Sequence, residues 1–142
     1  MIEDPMEILL VEDNPAHAEM TVRTLRKSNV SNHIQVAQDG PEALELLFPN
    51  GRKGNGSPKL ILLDLKLPRM DGIEVLQRIK ADPRTKVIPV VILTSSSDEH
   101  DLKTCYALGV NSYIVKPVDF QRFSDAVRSL GLYWVLLNRL PN

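Results

Sequence analysis

Three short apolar runs of the chain end in side chains that can bind a metal ion or a phosphoryl group. The runs are residues 8–11, 60–63 and 113–115. The first is followed by Glu12 and Asp13, the second by Asp64 and the third by Lys116. Three carboxylates brought together repel one another unless a cation neutralises them. Mg²⁺ suits such oxygen ligands and keeps waters that a phosphate can replace, so the pattern predicts a site for a divalent ion and phosphate.

The elements that would position these residues can be predicted from the same runs. Short aliphatic runs that alternate with helical patterns predict a parallel sheet covered by helices on both faces. In such open sheets ligands bind beyond the carboxyl ends of the strands, where the strand order reverses. We therefore expect five polar side chains to converge there: Glu12, Asp13, Asp64, Thr94 and Lys116.

The patterns predict five units, each a strand followed by a helix. Strands are expected near residues 7–11, 34–37, 60–63, 88–93 and 113–115. Helices are expected from 14–15, from 39–41, from 71–72 to about 82–83, over 98–108 and from about 119 to beyond 128. Gly109 should stop the fourth helix, because glycine readily adopts the left-handed conformation after a helix end. Residues 49–58 contain three glycines and two prolines and are expected to form a surface loop of unknown role.

Length and composition favour one domain over residues 1–142. A chain of 142 residues, 43% of them hydrophobic, can bury one core but is short for such a domain plus a DNA-binding domain. The net charge of -1 lacks the basic excess of a nucleic-acid surface. No apolar run approaches the roughly 18 residues of a membrane span. With one cysteine and no signal peptide, a cytoplasmic location is expected.

Four motifs follow one another in a fixed order. They are residues 10–13, 63–72, 93–95 and 113–117, with 30 positions from Asp64 to Thr94 and 22 from Thr94 to Lys116. Together they resemble the receiver domain of two-component response regulators, over nearly the whole chain. The resemblance implies a flavodoxin-like, doubly wound α/β fold with a five-stranded parallel sheet in the order 2-1-3-4-5 and five helices.

The resemblance also assigns roles to the residues that match. Asp64 would accept a phosphoryl group from a sensor histidine kinase. Mg²⁺ would be bound by Glu12, Asp13, Asp64 and the backbone carbonyl of Lys66. Taken alone, Asp64 could be an exposed strand-end aspartate, and the acidic pair could simply stabilise a helix start.

Lys116, Thr94 and Tyr113 would complete this machinery. The family has a cis peptide bond before the proline equivalent to Pro117, and the lysine binds a phosphoryl oxygen. Thr94 and Tyr113 would form the switch that responds to phosphorylation, although a buried threonine and a sheet tyrosine are also ordinary core residues. Lys66 and Ser96 would border the water that removes the phosphate.

The C-terminal part of the chain suggests a partner surface. A helical extension is expected over about 131–142, and residues 132–137 are apolar on every side, so a helix there needs a partner or a wide core face. This part and the loop 49–58 resemble the stand-alone receivers of bacterial and cyanobacterial phytochrome kinases. That subfamily implies a homodimer through the fourth helix, fifth strand and fifth helix.

Three other classes of protein are alternatives to a phosphorylated signalling protein. A phosphoaspartate hydrolase would need a second acid two residues after its nucleophile, where this chain has Lys66. An adaptor that is never phosphorylated would not need the full set of charged residues. A flavodoxin-like FMN carrier would need a phosphate-binding loop after the first strand. We therefore do not expect the protein to be an enzyme that turns over an external substrate. The three histidines, His17, His33 and His100, do not have the spacing of a metal-binding pattern.

Overall fold

Five parallel strands form one sheet in the computed structural model, which describes residues 6–27, 33–48, 58–117, 119, 121–123 and 125. The strands are β1 Ile8–Val11, β2 Ile34–Ala37, β3 Leu60–Leu63, β4 Val90–Thr94 and β5 Ser112–Val115. Their order across the sheet is β2-β1-β3-β4-β5. The predicted doubly wound α/β fold and its strand order are confirmed.

Helices connect the strands and pack on both faces of the sheet. They are α1 Pro15–Lys27, α2 Gly40–Leu47, α3 Gly72–Ala81 and α4 Glu99–Ala107. Residues 121–123 and 125 are helical at the position of the predicted fifth helix. The side chains of Asp39, Asp71 and Asp98 accept hydrogen bonds from backbone N–H groups in the first turns of α2, α3 and α4. Each aspartate satisfies donors that a helix start would otherwise leave unpaired.

The hydrophobic core lies in two layers, one on each side of the sheet. Every residue of β1 and β3 is buried, and successive residues of β1 contribute to opposite layers. Leu25 of α1 and Phe123 pack on one side. Val75 of α3 and Cys105 of α4 pack on the other. Burial on both faces explains why these strands are uninterrupted aliphatic runs without polar alternation.

The strand boundaries differ from the predicted ones at β1, β4 and β5. The start predicted for β4 was wrong by two residues, because β4 begins at Val90 and not at Ile88. Pro89 has no backbone N–H to donate to the sheet, and the Ile88 N–H donates to the Thr85 carbonyl at 2.9 Å in the preceding turn. β4 extends through Thr94. β1 starts at Ile8, one residue later than predicted, and β5 starts at Ser112, one residue earlier than predicted.

The predicted end of the fourth helix is confirmed. Leu108 caps the C-terminus of α4, and Gly109 follows it with a φ of 97°. Residues with a Cβ are strained at this angle, so glycine is favoured there. None of the helices that the structure describes has the length and apolar character needed to span a bilayer. The loop 49–57, the extension 131–142 and the apolar residues 132–137 lie outside the described residues.

Candidate functional site

The carboxyl ends of the strands bring the predicted charged residues together. Glu12 and Asp13 directly follow β1, Asp64 follows β3, and Lys116 follows β5. β1 and β3 are hydrogen-bonded neighbours whose last residues are in register. The acidic residues therefore follow adjacent strands at the same edge of the sheet. This edge is where open parallel sheets bind their ligands.

Three carboxylates form a cluster at this edge. Among the residues that the structure describes, Glu12, Asp13 and Asp64 are the one group of three or more such side chains that could hold a metal ion, with an oxygen of each within 4.8 Å of the others. Glu12 and Asp64 are 3% and 4% exposed, whereas Asp13 is exposed. Burial raises the pKa of Glu12, hydrogen bonds from Lys116 and Asn14 oppose the rise, and the charge of Asp64 adds to it. The oxygen donors and the concentrated negative charge fit a hard divalent ion such as Mg²⁺.

The ammonium of Lys116 contacts two carboxylates of the cluster and the imidazole of His17. Its Nζ lies 2.8 Å from Asp64 Oδ2 and 3.1 Å from His17 Nδ1, and it makes a short contact with Glu12 Oε1. The side chain is only 10% exposed. Burial alone would lower the pKa of Lys116, but the hydrogen bonds and charges of Asp64 and Glu12 outweigh burial and hold the pKa above its usual value. The two carboxylates therefore favour the charged form of Lys116 beside Asp64.

Both carboxylate oxygens of Asp64 have partners. Oδ1 accepts a hydrogen bond from the backbone N–H of Lys66 at 3.1 Å, and Oδ2 accepts one from Lys116. The Lys66 side chain is exposed. Gly72 approaches so closely that an added Cβ would lie 2.4 Å from the backbone oxygen of Asp64. These contacts fix the carboxylate, and a fixed carboxylate is a nucleophile with a defined direction of attack.

A network of hydrogen bonds links the end of β4 to β5 and α4. Thr94 is fully buried, and its Oγ1 accepts from the Ser96 N–H at 3.3 Å. The Tyr113 hydroxyl donates to the Ser96 carbonyl at 3.0 Å, and the Ser96 hydroxyl donates to Asp101 Oδ2 at 2.8 Å. Burial raises the pKa of Tyr113. The two residues expected to form a switch therefore share Ser96 as a hydrogen-bonding partner.

His17 belongs to the site although the sequence analysis did not include it there. Its Nδ1 contacts Lys116, a residue 99 positions away in the chain. Asn14 Oδ1 accepts from the backbone N–H groups of Ala16 and His17 and fixes the first turn of α1. The signal that was missed is position: His17 lies in the first turn of a helix that starts directly after the acidic pair.

The assembled residues offer three chemical functions. Asp64 provides a nucleophilic carboxylate, the cluster with Glu12 and Asp13 provides oxygen ligands for a divalent ion, and Lys116 provides a cation for a phosphoryl oxygen. The Lys116–Pro117 peptide bond is cis, as the resemblance implied. These are the functions needed to transfer a phosphoryl group to a carboxylate.

Known proteins resemble this chain over nearly its full length. Residues 8–128 match the family model of the response regulator receiver domain. The chain is 42% identical over 139 residues to the probable methanogenesis regulatory protein FilR2 of Methanothrix harundinacea, covering 98% of this chain and 90% of the relative. It is 38% identical over 138 residues to the response regulator Rcp1 of Synechocystis, covering 96% of this chain and 94% of the relative.

Solved structures agree with this likeness. The bacteriophytochrome response regulator AtBRR matches with a TM-score of 0.81 and 48% identity, covering 96% of this chain and all of that one. The Mn²⁺-bound form of the response regulator Rcp1 matches with a TM-score of 0.73 and 37% identity, covering 97% of this chain and 100% of that one. The phosphorylated cyanobacterial phytochrome response regulator RcpA matches with a TM-score of 0.73 and 38% identity, covering 97% of this chain and 99% of that one. The fold, the strand-end site and these matches together show that the chain belongs to the response regulator receiver family.

Proposed function

We propose that the protein is a single-domain response regulator, over residues 1–142, that accepts a phosphoryl group on Asp64 from a sensor histidine kinase. The observation that carries this proposal is the buried Asp64 carboxylate, fixed by Lys116 at 2.8 Å and by the Lys66 N–H at 3.1 Å. The match of residues 8–128 to the receiver family supports both the single domain and the reaction.

The reaction transfers the phosphoryl group between two side chains. A carboxylate oxygen of Asp64 attacks the phosphorus of the donor phosphohistidine, and the bond between phosphorus and the imidazole nitrogen breaks. The electron pair of that bond stays with the imidazole, which leaves neutral when its other nitrogen carries a proton. Later, water attacks the phosphorus and the bond to Asp64 breaks, which releases phosphate and restores the carboxylate. Lys116 neutralises charge on the phosphoryl oxygens in both steps.

Mg²⁺ is the cofactor that this site suits. Glu12, Asp13, Asp64 and the backbone carbonyl of Lys66 would bind it, and the bound ion would offset the charge that gathers as phosphate approaches carboxylates. The carboxylate cluster supports this assignment, and so does the Mn²⁺-bound structure of the relative Rcp1. The chain would catalyse its own phosphorylation and dephosphorylation without turning over an external substrate.

The output would be a change in a protein-binding face. Thr94 would bond the phosphoryl group and Tyr113 would respond, because both residues are hydrogen-bonded to Ser96. α4, β5 and the predicted fifth helix would form the face that changes and would also mediate a homodimer. The net charge of -1 favours protein partners over nucleic acid.

A phytochrome-type kinase is the partner that we propose. The matches to AtBRR at 48% identity and to the phytochrome response regulator RcpA support this choice. The likeness to FilR2, a probable methanogenesis regulator, makes phosphotransfer from a purified phytochrome kinase a necessary test. A kinase that draws its phosphoryl group from ATP would meet this protein in the cytoplasm.

The first experiment is intact mass spectrometry with a small-molecule phosphodonor, with and without Mg²⁺. We expect the wild-type protein to gain one phosphoryl group only with Mg²⁺, and Asp64→Asn to gain none. Asp125→Asn is the matched control, since Asp125 is exposed and its Oδ1 accepts a hydrogen bond from the side chain of Gln121. A wild-type protein that gains no mass would refute the proposal in favour of an adaptor that works without phosphorylation.

A further inference from the structure

We infer that His17 is a positioning residue that holds the Lys116 ammonium in the phosphorylation site. The inference rests on the proposed function and deepens it. His17 Nδ1 lies 3.1 Å from Lys116 Nζ, and the imidazole is half-buried on the first turn of α1. Neither the metal-binding cluster nor the switch includes this residue.

The chemistry of the contact fixes its direction. A lysine ammonium has three protons to donate and accepts no hydrogen bond. His17 Nδ1 must therefore be the acceptor, which leaves the imidazole neutral with its proton on Nε2. Glu12 Oε1, Asp64 Oδ2 and His17 Nδ1 are three acceptors for the three protons of Lys116.

The three acceptors are not equivalent during the reaction. Glu12 and Asp64 belong to the carboxylate cluster that would bind the metal ion, and the Asp64 carboxylate is also the proposed phosphoryl acceptor. Oxygen lone pairs of both carboxylates that now accept hydrogen bonds from Lys116 would be needed for the metal ion or the phosphoryl group. His17 neither binds the metal ion nor accepts the phosphoryl group. Its Nδ1 can therefore hold the ammonium in place while Glu12 and Asp64 exchange their hydrogen bonds for other partners.

The surroundings give the ammonium room to leave if His17 does not hold it. His17 and Lys116 line a cavity of about 300 Å³ together with Thr21, Ser95 and Pro117. The lysine stem is flexible and its charge is strongly hydrated. Without an acceptor at the position of His17, the ammonium would turn into this cavity for part of the time and would be less available to the phosphoryl group.

Substitutions at position 17 separate this role from simple packing. Asn can place a side-chain oxygen near the position of Nδ1, whereas Leu fills similar space without an acceptor. We expect His17→Leu to lower the rate of phosphorylation by a small-molecule donor at saturating Mg²⁺ by about tenfold, the effect of one lost hydrogen bond to a charged group. His17→Asn should restore most of the rate. Glu19→Gln is the control and should match the wild-type protein, because Glu19 is exposed on the same helix and its carboxylate pairs with Arg23.

A second measurement does not depend on phosphorylation. Long-range proton–nitrogen correlation spectra of the metal-free protein should show His17 with the proton on Nε2 and an unprotonated Nδ1. Lys116→Met should remove this preference for one tautomer. Circular dichroism would confirm that each variant is folded before it is compared.

The outcomes distinguish this inference from the proposed function. If the wild-type protein gains no phosphoryl group, the proposed function fails and the inference fails with it. If the wild-type protein is phosphorylated and His17→Leu reacts at the same rate, only the inference is overturned. A proton on Nδ1 in the wild-type spectrum also overturns it. A slow His17→Leu, a restored His17→Asn and the Nε2 tautomer together support it.

Discussion

We expect Lys116 and Mg²⁺ to compete for the same carboxylate oxygens. The lysine bonds to Glu12 and Asp64, two of the three residues that fit the ion. Lys116→Met should therefore tighten Mg²⁺ binding, because it removes the competing cation and leaves three carboxylates that repel one another. It should also slow phosphorylation by about a hundredfold, since the charge that stabilises the phosphoryl oxygens is lost. Titration calorimetry with Mg²⁺ and intact mass against time measure the two effects.

The control for this variant is Lys103→Met. Lys103 is an exposed lysine of α4 that pairs with Glu99 on the same helix. Neither the affinity for Mg²⁺ nor the phosphorylation rate should change in it. Weaker Mg²⁺ binding by Lys116→Met would contradict the competition, because it would mean that the lysine organises the carboxylates for the ion.

Lys66 should influence how long the aspartyl phosphate lasts. Its backbone N–H bonds to Asp64 while its side chain is exposed, so a substitution changes what borders the site and leaves the backbone contact in place. Lys66→Asn replaces a long cation with a short amide that can hydrogen-bond the attacking water, and we expect a several-fold shorter half-life. Loss of the phosphoryl mass after removal of the donor measures it. An unchanged half-life would remove Lys66 from this role.

Single residues differ in how well the sequence predicts their position. Asp64 and Lys116 directly follow strands of a parallel sheet, so the sheet edge places them whatever the details of packing. His17 is different, because its contact depends on the rotation of α1 about its axis. That rotation is set by the Asn14 cap and by the packing of Leu25 on the sheet, and periodicity alone does not determine it.

The turn between β3 and α3 positions Asp64 through a close backbone approach. A Cβ at Gly72 would lie 2.4 Å from the backbone oxygen of Asp64 and 2.5 Å from Leu65 Cα, so Gly72→Ala must displace the backbone of Asp64 and Leu65. Overpacking of this kind costs about 1–3 kcal/mol. We expect a lower free energy of unfolding in urea together with slower phosphorylation of the folded protein.

Gly109→Ala is the matched comparison for this element. An added Cβ there meets only the end of the Lys80 side chain at 3.8 Å, but the φ of 97° is unfavourable for alanine. This variant should lose about 1 kcal/mol or more of stability through backbone strain alone and keep its phosphorylation rate. If Gly72→Ala also kept its rate, the close approach would not position Asp64.

Elements were predicted best where one physical signal dominates. Aliphatic runs that are buried on both faces identify β1 and β3, and the glycine at the end of α4 fixes its C-terminus. The start of β4 was missed because Ile88 is as apolar as the strand that follows it. Its backbone N–H bonds within the preceding turn, a choice that side-chain type does not reveal.

At the scale of the whole molecule, the reactivity of the Cys105 thiol measures how accessible the hydrophobic core is to solvent. The thiol is fully buried between α4 and the sheet. Burial raises its pKa to about 11, with the charges of Asp101 and Asp71 adding to the rise. At pH 8 only about one thiol in a thousand would be the reactive thiolate. We expect an alkylating reagent to modify the native protein slowly and the urea-unfolded protein quickly, as followed by mass spectrometry. Rapid modification of the native protein would show that α4 opens readily.

We expect the protein to dimerise through the face that carries α4. Tyr106 of α4 is 49% exposed, and an exposed aromatic side chain is a typical anchor of a protein interface. We expect multi-angle light scattering to show a dimer whose fraction rises with concentration. Tyr106→Glu should shift the protein to monomers, because the interface would then bury an unpaired charge.

Val87→Glu is the control for this dimer. Val87 is 75% exposed in the turn between α3 and β4, outside the proposed face, so a charge there should leave the dimer intact. Repeating the measurement with a phosphoryl analogue and Mg²⁺ tests whether the signalling state and the dimer are coupled, since a ligand shifts an equilibrium only by its preference for one state. A wild-type monomer at the highest concentration, with and without the analogue, would refute the dimer and leave the face free for another partner.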